Sequence, residues 1–139
     1  MEEKIFRMRI LPDVMVCVEE IRNMTLSGSI LFPYEVCAVP FENTADMILK
    51  IDGMFEKAEK VVREERMLYQ YHDFKDFSGI RGKRDVFFLR VLYRREGNMQ
   101  GTFFSGRLKR RPVAFRSTME LTYYLRELTE LLEEGEKHV

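Results

Sequence analysis

Phe41-Glu42-Asn43-Thr44-Ala45-Asp46-Met47 returns 74 positions later as Phe115-Arg116-Ser117-Thr118-Met119-Glu120-Leu121. Each stretch reads as the passage from a strand into a helix. Asn43 and Ser117 are N-cap residues, whose side-chain oxygens accept a backbone N–H of the first turn, while Asp46 and Glu120 put negative charge at the positive end of the helix dipole. Ser117 and Glu120 also fit the Ser-x-x-Glu capping box. The same offset continues into the helices, where Met47, Ile51, Met54 and Ala58 correspond to Leu121, Leu125, Leu128 and Leu132 in apolar stripes of helical spacing. Any amphipathic helix that follows a strand needs a cap and a stripe, so two such elements can converge. We read the correspondence as a duplication, because it runs unbroken from cap to stripe.

A hairpin precedes each cap. Val14 to Ile21 is rich in β-branched residues, Asn23 to Gly28 is turn-like, and Ser29 to Val39 returns, with Pro33 marking an edge, a bulge or a break. In the second hairpin Asp85 to Arg94 is a strand, Arg95-Glu96-Gly97-Asn98 a turn and Met99 to Ser105 the return. With a one-residue adjustment, Gly28 matches Gly101, Val16 matches Leu89 and Val18 matches Val91. The expectation is an α+β protein in which two ββα units form a mainly antiparallel, four-stranded sheet with two helices packed on one face, as a pseudo-two-fold internal repeat. Unit one runs over about 14–66, a connection over 67–84 and unit two over 85–135, within a single domain 1–139. Lys4 to Leu11 alternates Phe6, Met8 and Ile10 with Arg7 and Arg9, which predicts an extra edge strand stopped by Pro12. Gly53 weakens its helix by about 1 kcal/mol relative to alanine and marks close packing or a bend.

The 139 residues, 45% hydrophobic and 33% charged, suffice for one globular core and exclude the disordered and fibrous classes. No apolar run reaches the roughly 20 residues that cross a bilayer, and Met1-Glu2-Glu3-Lys4 is unlike a signal peptide, so a cytoplasmic location is expected. Cys17 and Cys37 lie in apolar stretches and read as small buried hydrophobes in strands. With only His72 and His138 beside them, neither a metal nor a cofactor is expected. No phosphate-cradling glycine loop, His-Glu-x-x-His or nucleophile elbow is present. Tyr69, Tyr71, His72, Asp73 and Asp76 form the best titratable cluster, although neighbourhood in sequence is weak support for catalysis, and no catalytic residue is assigned.

A net charge of zero conceals segregation. Lys75 to Arg116 holds twelve Lys or Arg against three acidic residues, a local +9, whereas residues 117–139 hold two basic and six acidic ones, a local −4. Arg81, Lys83, Arg84, Arg107, Lys109, Arg110 and Arg111 are therefore candidate contacts for an anion or a nucleic acid. The competing reading pairs these charges with acidic helix faces through Glu56, Glu59, Glu127 and Glu130. Phe87, Phe88, Phe103 and Phe104 are candidates for an interaction surface, because adjacent strand residues face opposite sides and each pair puts one ring on the face away from the helices. The expected role is a binding or protein-interaction module that is not an enzyme. Its first partner is a second copy of itself in a homodimer, or another protein, with nucleic acid as the alternative partner and a small enzyme as the remotest reading.

The stretch Phe88-Leu89-Arg90-Val91-Leu92-Tyr93-Arg94-Arg95, with Met99-Gln100-Gly101-Thr102 and Phe115-Arg116-Ser117 to Glu120-Leu121, resembles a segment of small, uncharacterised bacterial proteins. The resemblance covers mainly residues 86–132. It implies a bacterial, cytoplasmic protein of unknown function, and no activity or ligand comes with it.

Overall fold

Each hairpin closes on a two-residue turn in left-handed backbone. Asn23 (φ 50°) and Met24 (φ 61°) join β1 (Asp13–Arg22) to β2 (Thr25–Leu31), and Glu96 (φ 51°) and Gly97 (φ 81°) join β4 (Asp85–Arg95) to β5 (Asn98–Ser105). Positive φ at both central positions matches the right-handed twist of the paired strands. These elements belong to a computed structural model that describes residues 12–35, 37–64, 84–108 and 111–137, without the side chains of 61–64 and 136–137. The expected edge strand at 4–11 and the connection at 67–83 lie outside the described residues. The first turn is tighter than Asn23 to Gly28, and its return strand stops at Leu31. Pro33 falls beyond that strand, in a turn where the Glu35 N–H donates to the Phe32 carbonyl at 3.0 Å.

The ββα expectation is corrected by one strand in each half. After β2 comes β3 (Val39–Phe41) and then α1 (Thr44–Glu64), and after β5 comes β6 (Val113–Phe115) and then α2 (Thr118–Lys137), so the order is βββα twice. Three residues are too few to display alternation, and Pro40 interrupts the β-forming pattern of the first. Among the described residues the sheet therefore has six strands, all antiparallel, in the order β3-β2-β1-β4-β5-β6. The central β1–β4 pairing runs from Asp13 opposite Arg90 to Val18 opposite Asp85, which makes one continuous sheet of both halves.

The caps form as the sequence requires. Asn43 Oδ1 accepts the Asp46 N–H at 2.8 Å, and Ser117 Oγ accepts the Glu120 N–H at 3.1 Å. The Asp46 carboxylate accepts the Glu42 N–H and pairs with Lys50, and these partners hold it below the usual carboxylate range. Glu120 turns instead toward the Tyr124 hydroxyl. The next residue ties each helix to its hairpin. Thr44 Oγ1 accepts the Leu26 N–H at 3.2 Å while the Thr44 N–H donates to Thr25 Oγ1, and Thr118 Oγ1 accepts the Met99 N–H at 2.9 Å while the Thr118 N–H donates to Asn98 Oδ1.

Apolar residues of both helices, among them Met47, Ile51, Phe55, Leu121, Leu125 and Leu128, share one core with Val14, Val16, Leu26, Ile30, Phe87, Leu89, Met99 and Phe103. Both helices thus cover the same face of the sheet. Gly28 and Gly101 hold the hairpins close: a Cβ there would stand 1.9 Å from the Cys17 carbonyl oxygen and 1.8 Å from that of Arg90. Gly53 is different, since it is exposed and a Cβ would meet nothing within 4 Å, so close packing does not explain it.

Candidate interaction surface on the second hairpin

Each central strand carries one extra residue just after its last pairing with the other half. In β1 the register slips between Val18 and Glu20, leaving Glu19 as the bulge, and in β4 it slips between Val91 and Tyr93, leaving Leu92. A bulge breaks alternation and re-aims the side chains on its far side. There, Ile21 pairs with Leu26 and Arg94 with Met99, so both turn toward the helices. Glu20 and Tyr93 pair with Ser27 and Gln100 on the opposite face. The same backbone device thus presents Glu19-Glu20 in the first half and Leu92-Tyr93 in the second.

Arg94 is drawn into the helix layer. Its Nη1 donates to Asp52 Oδ1 and its Nη2 to Glu59 Oε2, each at 3.1 Å, and the side chain is only 11% exposed. Burial opposes the guanidinium charge, but the Glu59 and Asp52 carboxylates outweigh it and hold the pKa above its ordinary value. The second hairpin is thereby fastened to the first half's helix. On the other side the Met24 N–H donates to Glu133 Oε1 of α2. Arg94 Nε is buried without a hydrogen-bond partner, which weakens this otherwise paired group.

On the face away from the helices, an apolar row crosses four strands in register: Leu31 opposite Met15, Met15 opposite Phe88, and Phe88 opposite Phe104. At the first half's end the row is closed, with Leu31 and Cys17 fully buried and Met15, Ala38 and Val86 packed against them. At the second half's end it opens. Phe88 is 38% exposed, Leu92 46% and Tyr93 53%, and the Phe88 and Phe104 rings lie 6.4 Å apart. Phe87 and Phe103 are removed from the candidate contacts. Both are fully buried on the helix side at 5.5 Å from each other, and Phe103 stacks on Tyr124. Cys37 is corrected too, being exposed in the loop before β3, whereas Cys17 is buried as expected.

Of the seven basic candidates, Arg84, Arg107 and Arg111 lie among the described residues. Arg81, Lys83, Lys109 and Arg110 lie outside the described residues, as do His72 and its titratable neighbours. The Arg84 N–H extends the central ladder by donating to the Val18 carbonyl. Arg107 lies 3.5 Å from Asp85, whose carboxylate also accepts the Ser105 hydroxyl. Burial raises the Asp85 carboxyl above its ordinary range, and the Val86 N–H and Arg107 only partly offset this. Arg90 pairs with Asp13 at 2.9 Å. Arg111 is exposed beside β6. Carboxylates thus face Arg90, Arg94 and Arg107; of these arginines only Arg107 is among the basic candidates, and of the acidic partners named for the competing reading only Glu59 takes part.

An open hollow of about 480 Å³ lies at the hairpin end, lined by Tyr93, Arg94, Arg95, Glu96, Asn98 and Gln100. Its Arg94 is engaged by Asp52 and Glu59. Leu92 and the inward turn of Arg94 were missed in sequence. Strict alternation assigns Arg94 to the same face as Arg90. The missed signal was Glu19-Glu20 standing 73 positions before Leu92-Tyr93, at corresponding points of two otherwise similar strands. Among the described residues no helix is long and apolar enough to cross a membrane. Compared with known proteins, the chain matches no family model, no curated protein and no solved structure.

Proposed function

We propose that this protein is a non-enzymatic interaction module, built as a pseudo-two-fold repeat of βββα halves, that self-associates through the second half's open sheet face. The observation that carries the reading is the pair of corresponding bulges, charged as Glu19-Glu20 in one half and apolar as Leu92-Tyr93 in the other. The repeat is supported by the shared turn, bulge, close-packed glycine, threonine tie and helix cap. Leu92 lies four residues along β4 from Phe88 with the Asp13-paired Arg90 between them, and exposed apolar side chains on this face gain free energy when a partner removes them from water. A second copy supplies the same patch across a two-fold axis, as an isologous interface requires. Light scattering over micromolar concentrations tests this. The mass should rise from 16.7 kDa toward twice that value, and a mass of one chain at every concentration overturns the reading.

A further inference from the structure

Among the described residues, the two edges of the sheet differ in a way that selects a partner. Pro40 is the middle residue of β3 and stands opposite Ser29, and Ala114 is the middle residue of β6 and stands opposite Thr102. Proline has no N–H, so the Ser29–Pro40 position is one whose backbone groups face away from the sheet, with Val39 and Phe41 making the ladder. Ala114 holds the corresponding position, since Gly28 opposite Phe41 corresponds to Gly101 opposite Phe115. Its N–H and carbonyl therefore face outward. The two outward carbonyls are held alike: Pro40 O accepts Lys50 Nζ at 2.7 Å, and Ala114 O accepts the Tyr124 hydroxyl at 3.0 Å. What differs is the donor, which β3 lacks and β6 keeps.

From this we infer that β6 is an edge for strand addition and that its partner is an extended acidic peptide segment of another protein. Ala114 is exposed, and the exposed Arg111 and Arg116 flank the strand on either side. An incoming strand accepts the Ala114 N–H with a backbone carbonyl and donates to the second lone pair of the Ala114 carbonyl, while its carboxylates meet the two guanidinium groups. Glu120 reaches the same Tyr124 hydroxyl that donates to the Ala114 carbonyl, so the incoming carboxylates are matched to Arg111 and to the side of Arg116 away from Glu120. Pairing of β6 with β6 of a second copy is disfavoured, because it sets like charges opposite one another. This surface is separate from the apolar row on the sheet face.

The test is fluorescence anisotropy with a labelled ten-residue peptide of alternating glutamate and threonine, titrated with the full chain. Saturable binding is expected, weakened at least tenfold by Ala114→Pro, which gives β6 the block that β3 already carries. The same loss is expected when alternate peptide amides are N-methylated, a change that leaves the protein untouched. The double change Arg111→Glu and Arg116→Glu should weaken binding similarly. Pro40→Ala should open β3 without raising affinity, since Glu42 flanks that strand and Lys50, the cation on its outward carbonyl, is already paired with Asp46. Binding that ignores both Ala114→Pro and N-methylation, absence of binding to the glutamate peptide, or preference for a generic single-stranded oligonucleotide each overturns the inference.

Discussion

The two hairpins share a backbone and differ in what they hang on it. At corresponding positions after the bulge, β1 turns Ile21 toward the helices and β4 turns Arg94, so an apolar contact in one half becomes an ion pair to α1 in the other. On the reverse face Glu19-Glu20 answers to Leu92-Tyr93. Around the bulge the first half is charged on the outer face and apolar within, and there the second inverts both. Scaffold positions are fixed by backbone geometry, which tolerates few residue types. Side chains around the bulge are not so constrained, and there the halves are free to specialise.

The shared backbone is most open to disproof at the glycines. Gly28→Ala and Gly101→Ala each set a Cβ within 2 Å of a carbonyl oxygen, so each should cost about 3 kcal/mol or more in urea denaturation. A hairpin that accepts alanine at no cost does not have that backbone. Arg94→Met comes next. It strands Asp52 and Glu59 against the sheet and should cost about 2 kcal/mol, less than a fully buried pair because both carboxylates remain partly solvated. Adding Asp52→Asn and Glu59→Gln should recover part of that loss, whereas an undiminished deficit would mean that Arg94 acts through packing of its stem.

Smaller effects refine the contrast between the halves. Asn43→Ala and Ser117→Ala remove corresponding caps and should each cost about 1 kcal/mol of thermal stability. Asp85 has no acidic counterpart, because Pro12 stands at the corresponding place in the first half. Its pKa is raised in the folded chain, so its favourable contribution is complete below the unfolded value near 3.8 and is lost as pH rises through the folded one. Asp85→Asn should therefore gain stability relative to wild type between acid and neutral pH. A relative loss at neutral pH would show that the Arg107 pair outweighs burial. Gly53→Ala, in open space on a helix, should stabilise by up to about 1 kcal/mol.

Much of this fold was legible because local chemistry and tertiary role agree. Asn43 and Ser117 cap the helices they were expected to cap, and Met47, Ile51, Leu121 and Leu125 are buried where their spacing puts them. The third strands were not legible, since Val39–Phe41 and Val113–Phe115 exist through pairing with Gly28 to Ile30 and Gly101 to Phe103 rather than through a pattern of their own. Arg94 was misplaced for a related reason. Alternation assumes an unbroken ladder, and the slip at Leu92 arises from register between distant strands. The opened row beside Phe88 could be expected from Phe87-Phe88 and Phe103-Phe104, but its closure around Leu31 and Cys17 depends on Ala38, a loop residue without periodicity.

Self-association through the second hairpin is decided by sedimentation equilibrium of wild type beside Leu92→Glu/Tyr93→Glu, which writes the first bulge's residues into the second. Wild type should show a reversible monomer–dimer equilibrium, and the double variant should remain at 16.7 kDa with an unchanged circular dichroism spectrum. Equal masses for the two proteins, whether both monomeric or both dimeric, would contradict the claim that self-association lies where the second hairpin departs from the first.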